Sequence, residues 1–103
     1  MESVNTLEFD SILSSNELVV ADFYADWCMP CKMLSPVLDE ISLDYPQIAF
    51  CKINVDANED LARKYSIDFI PNVIFFKNSQ KKTSFTGYKT KEQLKEIFDE
   101  FIG

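Results

Sequence analysis

The sequence predicts a single α/β domain: a central mixed β-sheet flanked by helices on both faces. Three observations carry this reading. Strand-like and helix-like periodicities alternate along a chain of 103 residues, a length suited to one domain with one sizeable core. Two of the strand-like runs, Leu18 to Ala25 and Ile48 to Val55, are apolar on both faces, the mark of strands covered from two sides. The last two strand-like runs, Val73 to Phe76 and Lys81 to Thr86, are joined by a turn at Asn78-Ser79-Gln80, so they form an antiparallel hairpin.

The elements follow in order. A short first strand is expected near Val4. Asn5 caps a first helix, with Glu8 three residues on reaching back, and Leu7, Ile12 and Leu13 supply its apolar side. Leu18 to Ala25 is the first long strand. Leu34, Val37, Leu38, Ile41 and Tyr45 recur at helical spacing, predicting a helix that runs to about Tyr45 and is kinked at Pro36. Ile48 to Val55 is the next buried strand, and Asn58 opens a short helix through Tyr65. Val73 to Phe76 and Lys81 to Thr86 form the hairpin. Thr90, with Gln93 three residues on, caps a last helix whose Leu94, Ile97, Phe98, Phe101 and Ile102 share one face. The order is β-α-β-α-β-α-β-β-α.

Composition excludes several functions. Hydrophobic residues make up 47% and charged residues 26% of the chain, which fits a packed globular domain and not a disordered one. A net charge of −7 repels a phosphate backbone, which argues against nucleic-acid binding. No apolar run approaches the roughly 20 residues that span a bilayer. The first residues lack the basic and apolar stretches of a secretory signal, so a cytoplasmic chain is expected. Glycine occurs twice, which leaves no phosphate-cradling loop.

The chemistry concentrates in Ala25-Asp26-Trp27-Cys28-Met29-Pro30-Cys31-Lys32, where a buried strand meets the start of a helix. A thiol there meets unpaired backbone N–H groups and the positive end of the helix dipole, both of which favour the thiolate, the nucleophile of disulfide exchange. Cys28 is therefore expected to be exposed and reactive. Two intervening residues on a first helical turn bring the sulfurs within bonding reach, and Pro30 stiffens that turn. A tetrahedral zinc site needs four ligands, and the chain offers no histidine and only Cys51 beyond the pair. Cys51, inside an apolar strand, reads as a small buried hydrophobe. Asp22 interrupts the run Leu18 to Ala25. It is either a general acid or base with a raised pKa or a strand-end carboxylate bonded to backbone. Lys52 interrupts the neighbouring run, either as the partner of Asp22 across the sheet or as a surface lysine with a buried stem.

At these residues the chain resembles the thioredoxin family. The resemblance covers nearly the whole length: Val20-Ala21-Asp22-Phe23-Tyr24-Ala25-Asp26-Trp27-Cys28, then Lys32-Met33 and Pro36, Lys52-Ile53-Asn54-Val55-Asp56, Ile70-Pro71, Phe75-Phe76-Lys77-Asn78 and Gly87. It implies a thioredoxin-like fold and a protein-disulfide reductase that cycles between a dithiol and a Cys28–Cys31 disulfide. Cys28 corresponds to the nucleophile and Cys31 to the resolving cysteine. Asp22 corresponds to the buried acid that deprotonates the resolving thiol, and Lys52 to its partner. Pro71 corresponds to a cis-proline facing the disulfide. Ile70 corresponds to the residue whose backbone pairs with the substrate strand. Trp27, Met29, Pro30 and Gly87 fall on the rim that receives substrate. The resemblance further implies a monomer with no bound cofactor, disulfide-bearing protein substrates, and recycling by an NADPH-dependent flavin reductase. Met29 stands where Gly is typical of the family, Phe69 where a small residue is usual, Asn72 in place of Thr, Ser79 in place of a turn Gly, and Tyr24 where Trp is common. A binding module on the same fold, with incidental redox activity, is the alternative. An oxidase or isomerase is disfavoured because neither residue between the cysteines is histidine.

Overall fold

The computed structural model describes residues 1–103. The elements are β1 (Glu2–Ser3), α1 (Thr6–Ser15), β2 (Leu18–Tyr24), α2 (Met29–Ser42), β3 (Ala49–Asn54), α3 (Glu59–Lys64), β4 (Asn72–Lys77), β5 (Gln80–Thr86) and α4 (Lys91–Ile102). They form one five-stranded sheet in the order β1-β3-β2-β4-β5. β1, β3 and β2 run parallel, β4 lies antiparallel to β2, and β5 antiparallel to β4. The two runs apolar on both faces are thus neighbours in the middle of the sheet.

Side chains alternate across β2 and divide the core. Val19, Ala21 and Phe23 face α1 and α3, packing with Phe9, Leu13 and Leu61. Val20 faces α2 and α4, packing with Leu34, Leu38, Ile41, Leu94 and Phe98. Asp22 follows Val20 on that same face. Aromatic rings fill both layers. Phe98 lies 5.0 Å from Phe75, 5.2 Å from Tyr45 and 5.5 Å from Phe50, centroid to centroid. On the other face Phe9, Tyr65 and Phe76 meet edge to face.

Local sequence fixes the ends of the elements. Both predicted capping boxes form: Glu8 N–H donates to Asn5 Oδ1 at 2.9 Å and Asn5 N–H to Glu8 Oε1 at 2.9 Å. At α4, Gln93 N–H donates to Thr90 Oγ1 at 3.2 Å and Thr90 N–H to Gln93 Oε1 at 2.9 Å. The β4–β5 turn puts Asn78 (φ 52°) and Ser79 (φ 67°) in the left-handed region that a two-residue hairpin requires. Ser79 lacks the freedom of glycine, but its hydroxyl donates to the carbonyl of Leu13 at 3.0 Å, one of the open acceptors at the end of α1.

Two expectations change. Leu7 was placed on the apolar side of α1, yet it is 80% exposed, and Phe9 and Leu13, one helical turn apart, carry the burial. Helix α2 stops at Ser42, not Tyr45, because Leu43 and Asp44 N–H close tighter turns onto Glu40 and Ile41 carbonyls. Tyr45 is still buried, its hydroxyl donating to Asp99 Oδ1 at 2.6 Å, so its hydrophobic signal was real but belonged to the loop.

These assignments give a stability test. Phe98→Ala leaves a void among three rings and is expected to cost about 3–5 kcal/mol in urea unfolding, whereas Leu7→Ala should stay within about 0.5 kcal/mol of the parent.

Candidate active site

Strand β2 ends at Tyr24, and Ala25-Asp26-Trp27 carry the chain to Cys28, the N-cap of α2. Cys28 N–H donates to the Ala25 carbonyl at 3.2 Å, and the Cys28 carbonyl accepts the first helical bond, from Lys32 N–H, at 3.2 Å. Cys28 Sγ accepts from Cys31 N–H at 3.3 Å, in the position a capping oxygen would take. The sulfur therefore sits at the positive end of the helix dipole, with Pro30 in the first turn, where no N–H is missed. Cys28 and Cys31 are joined in a disulfide, their Cα atoms 5.3 Å apart.

The expectation that Cys28 is exposed needs correction. Only 4% of its surface is accessible, and 2% of that of Cys31, because the pair packs on Ala25 with Tyr24, Val55 and Ile70 around it. Exposure belongs to its neighbours. Trp27, Met29 and Pro30 stand out into solvent, while Ile70 is half-buried and Pro71 buried, with a cis Ile70–Pro71 bond. Gly87 N–H donates to the Pro71 carbonyl at 2.9 Å. A Cβ on Gly87 would meet open space, so the glycine serves its φ of +81° and not a close approach.

Asp22 is fully buried, and neither carboxylate oxygen has a hydrogen-bond partner. The reading of a carboxylate bonded to backbone is thereby excluded. Loss of hydration pushes its pKa up from 3.8 to about 7, with Lys52 pulling it down and Asp39 pushing it up more weakly. Lys52 lies opposite Asp22 in the parallel β2–β3 register. The two do not form a contact ion pair. The lysine ammonium instead lies 5.1 Å from the centre of the Tyr24 ring. Lys52 thus acts on Asp22 through space.

A cleft of about 590 Å³ between the sheet and α2 brings Asp22, Lys52 and Cys31 together, with Asp26 and Asp39 on its walls. Asp39 also holds the N-terminal ammonium of Met1 at 2.6 Å. Asp39 was missed in the sequence, although Cys31, Ser35 and Asp39 recur at four-residue spacing and so share one face of α2. Asp56 stood in the motif that carries the resemblance but was given no role. Its Oδ2 accepts from the Trp27 indole N–H at 2.9 Å, and Asn54 Oδ1 shapes its turn by accepting from Asp56 and Ala57 N–H. Cys51 stays apart, fully buried toward α1 and α3, its thiol pushed up to about 12 by burial first and the Asp22 charge second.

The family model described as Thioredoxin matches residues 1–100. A thioredoxin of Mycoplasmoides gallisepticum is 41% identical over 93 residues, covering 90% of this chain and 93% of that protein. Thioredoxin-1 of Saccharomyces cerevisiae is 42% identical over 80 residues, 78% of each chain. Among solved structures, Plasmodium falciparum thioredoxin superposes with a TM-score of 0.91 at 35% identity, over 97% of this chain and 98% of that one.

The buried carboxyl of Asp22 should leave a signature in stability against pH. An acid whose pKa rises on folding holds its proton more tightly in the native state. Ionising it therefore costs stability once pH passes the unfolded value of 3.8, and the cost stops growing above about 7. Asp22→Ala should gain on the parent as pH rises from 4 to 7.5, by something on the order of 2–4 kcal/mol for a pKa moved from 3.8 to about 7. Denaturant unfolding of the oxidised proteins at the two pH values measures it. A gap that does not change between them would mean that the fold does not oppose ionisation.

Proposed function

The chain belongs to the thioredoxin family and is a thiol–disulfide oxidoreductase, and we propose that it runs in the reducing direction on protein disulfides, with Cys28 as nucleophile and Cys31 as resolving thiol. The observation that carries the reading is one cleft that holds Cys31 beside a buried, unpartnered carboxyl whose pKa lies at about 7.

In the reduced protein the Cys28 thiolate, favoured by the α2 N-terminus, attacks one sulfur of the substrate disulfide. A mixed disulfide forms and one substrate thiolate leaves. Cys31 then passes its proton to the Asp22 carboxylate and attacks Cys28 Sγ. The second substrate thiolate leaves, and the Cys28–Cys31 disulfide holds the oxidation that the substrate has lost. A carboxyl titrating at about 7 can take up and return that proton near neutral pH, and Lys52 keeps its charged form accessible. Trp27, Met29, Pro30, Ile70, Pro71 and Gly87 form the surface on which the substrate segment lies. Two electrons from outside must restore the dithiol, and an NADPH-dependent flavin reductase is the proposed source, with the cytoplasm as the place of action.

Reduction of insulin disulfides by dithiothreitol tests the activity, and a chain that does not accelerate it is a docking module instead. Cys31→Ser should accumulate a mixed disulfide through Cys28, visible by mass spectrometry, while Cys28→Ser should form none. Asp22→Ala should release the mixed disulfide more slowly at pH 7, by about tenfold or more. Cys51→Ala should keep the parental turnover, since its thiol is buried away from the cleft.

A further inference from the structure

The disulfide sits below its own rim, and the rim has a composition of its own. Cys28 and Cys31 are 4% and 2% exposed, so a substrate must bring its sulfur down to them on a protruding segment. Three exposed apolar side chains adjoin this site along the chain: Trp27, Met29 and Phe69, exposed by 71%, 66% and 75%. Trp27 and Met29 are the chain neighbours of Cys28. Phe69 is the neighbour of Ile70, which packs on the disulfide.

Nothing within the fold accounts for Phe69. It joins neither large core cluster and meets no other aromatic ring. Ile70 packs on the disulfide, while Phe69, one residue earlier in the bend that precedes β4, is left facing solvent. An exposed aromatic beside a reactive centre is the kind of side chain that anchors a partner. The charges nearest this apolar rim in the chain are mostly acidic. Asp68 precedes Phe69, Asp26 precedes Trp27, and Asp56 holds the Trp27 indole, all three exposed, in a chain of net charge −7. Lys32 is the one cation in the same turn of α2.

Building on the reductase reading above, we infer that Phe69 and Asp68 set substrate choice: this protein prefers disulfides whose cysteine is flanked by a large apolar residue and a basic one. The apolar flank covers Phe69 and Met29, which removes exposed apolar surface from water. The basic flank meets the acidic border, which speeds encounter and disfavours acidic segments.

Short peptides whose single cysteine is capped as a mixed disulfide with thionitrobenzoate test this. The Cys28 thiolate bonds the peptide sulfur, and the coloured thionitrobenzoate anion leaves. Three flanks are compared: leucine with lysine, leucine with glutamate, and serine alone. The pre-reduced parent should react with the leucine–lysine peptide about tenfold faster than with the serine peptide. Phe69→Ser should bring that ratio to within about twofold, the aromatic anchor being gone. Asp68→Lys should reverse the lysine-over-glutamate preference at low salt and not at high salt. Both positions are exposed, so neither change threatens the fold. Equal parental rates on all three peptides, or an unchanged ratio in Phe69→Ser, would overturn the inference. A parent that releases thionitrobenzoate from every peptide at one rate still reduces disulfides, so only the specificity fails. A parent inert toward all three and toward hydroxyethyl disulfide would refute the reductase reading itself.

Discussion

Strand β2 is hydrogen-bonded along both edges, to β3 and β4, and covered on both faces by helices. That double confinement fixes the position of its C-terminal end, and the redox pair hangs from that end. Only Ala25, Asp26 and Trp27 separate β2 from the N-cap of α2, so the placement of the strand fixes that of the cysteines. The same α2 packs Leu34, Leu38 and Ile41 onto the sheet and is tied to α4 by Lys91 on Glu40 at 2.6 Å. Cys28, the proposed nucleophile, is thus presented by a helix start anchored in the core, the kind of support that holds reacting groups to a narrow geometry.

Within that strand one residue works against stability. Asp22 occupies a core-facing position between Val20 and the end of the strand, and water is denied to it without any compensating donor. A buried carboxyl in this state resists ionisation, and near neutral pH the chain bears that cost at all times. The apolar layers offset it: nine phenylalanines, most of them locked ring against ring, give a small domain a dense interior. Asp22 borders the cleft, and of the charged residues that line it with Asp22, Lys52 lowers its pKa while Asp39 raises it.

The surface divides in a related way. The disulfide sulfurs are recessed, and beside them or beside Ile70 in the chain stands a collar of exposed apolar side chains, Trp27, Met29 and Phe69. Two members of that collar, Met29 and Phe69, are among the five positions at which the sequence reads as departing from the usual family residues. On the proposed reading, the sulfur chemistry and the surface that selects for it reside in different side chains. Variation in the collar can tune recognition without moving Cys28, Cys31 or Asp22.

Much of this was determined by sequence alone. Periodicity, capping and turn signals yielded the order of the elements, with a short first strand allowed for near Val4, because burial on one face or two imprints directly on residue spacing. Capping boxes at Asn5 and Thr90 were legible because they are local bonds between residues three apart. Cys28 and Cys31 were legible for the same reason: their pairing needs only a helical turn. The tertiary structure decided the rest. Whether the Asp22 carboxyl had a partner depended on groups from β3 and α2, distant in sequence, and the fold supplies none within hydrogen-bond reach. The seat of the Lys52 ammonium on the Tyr24 ring, the hold of Asp56 on Trp27 and the convergence of Asp39 on the cleft are likewise contacts across elements. The recess of Cys28 was invisible for the most physical of these reasons. Accessibility is set by what packs against a residue, and Ile70, which covers the disulfide, lies far along the chain from it.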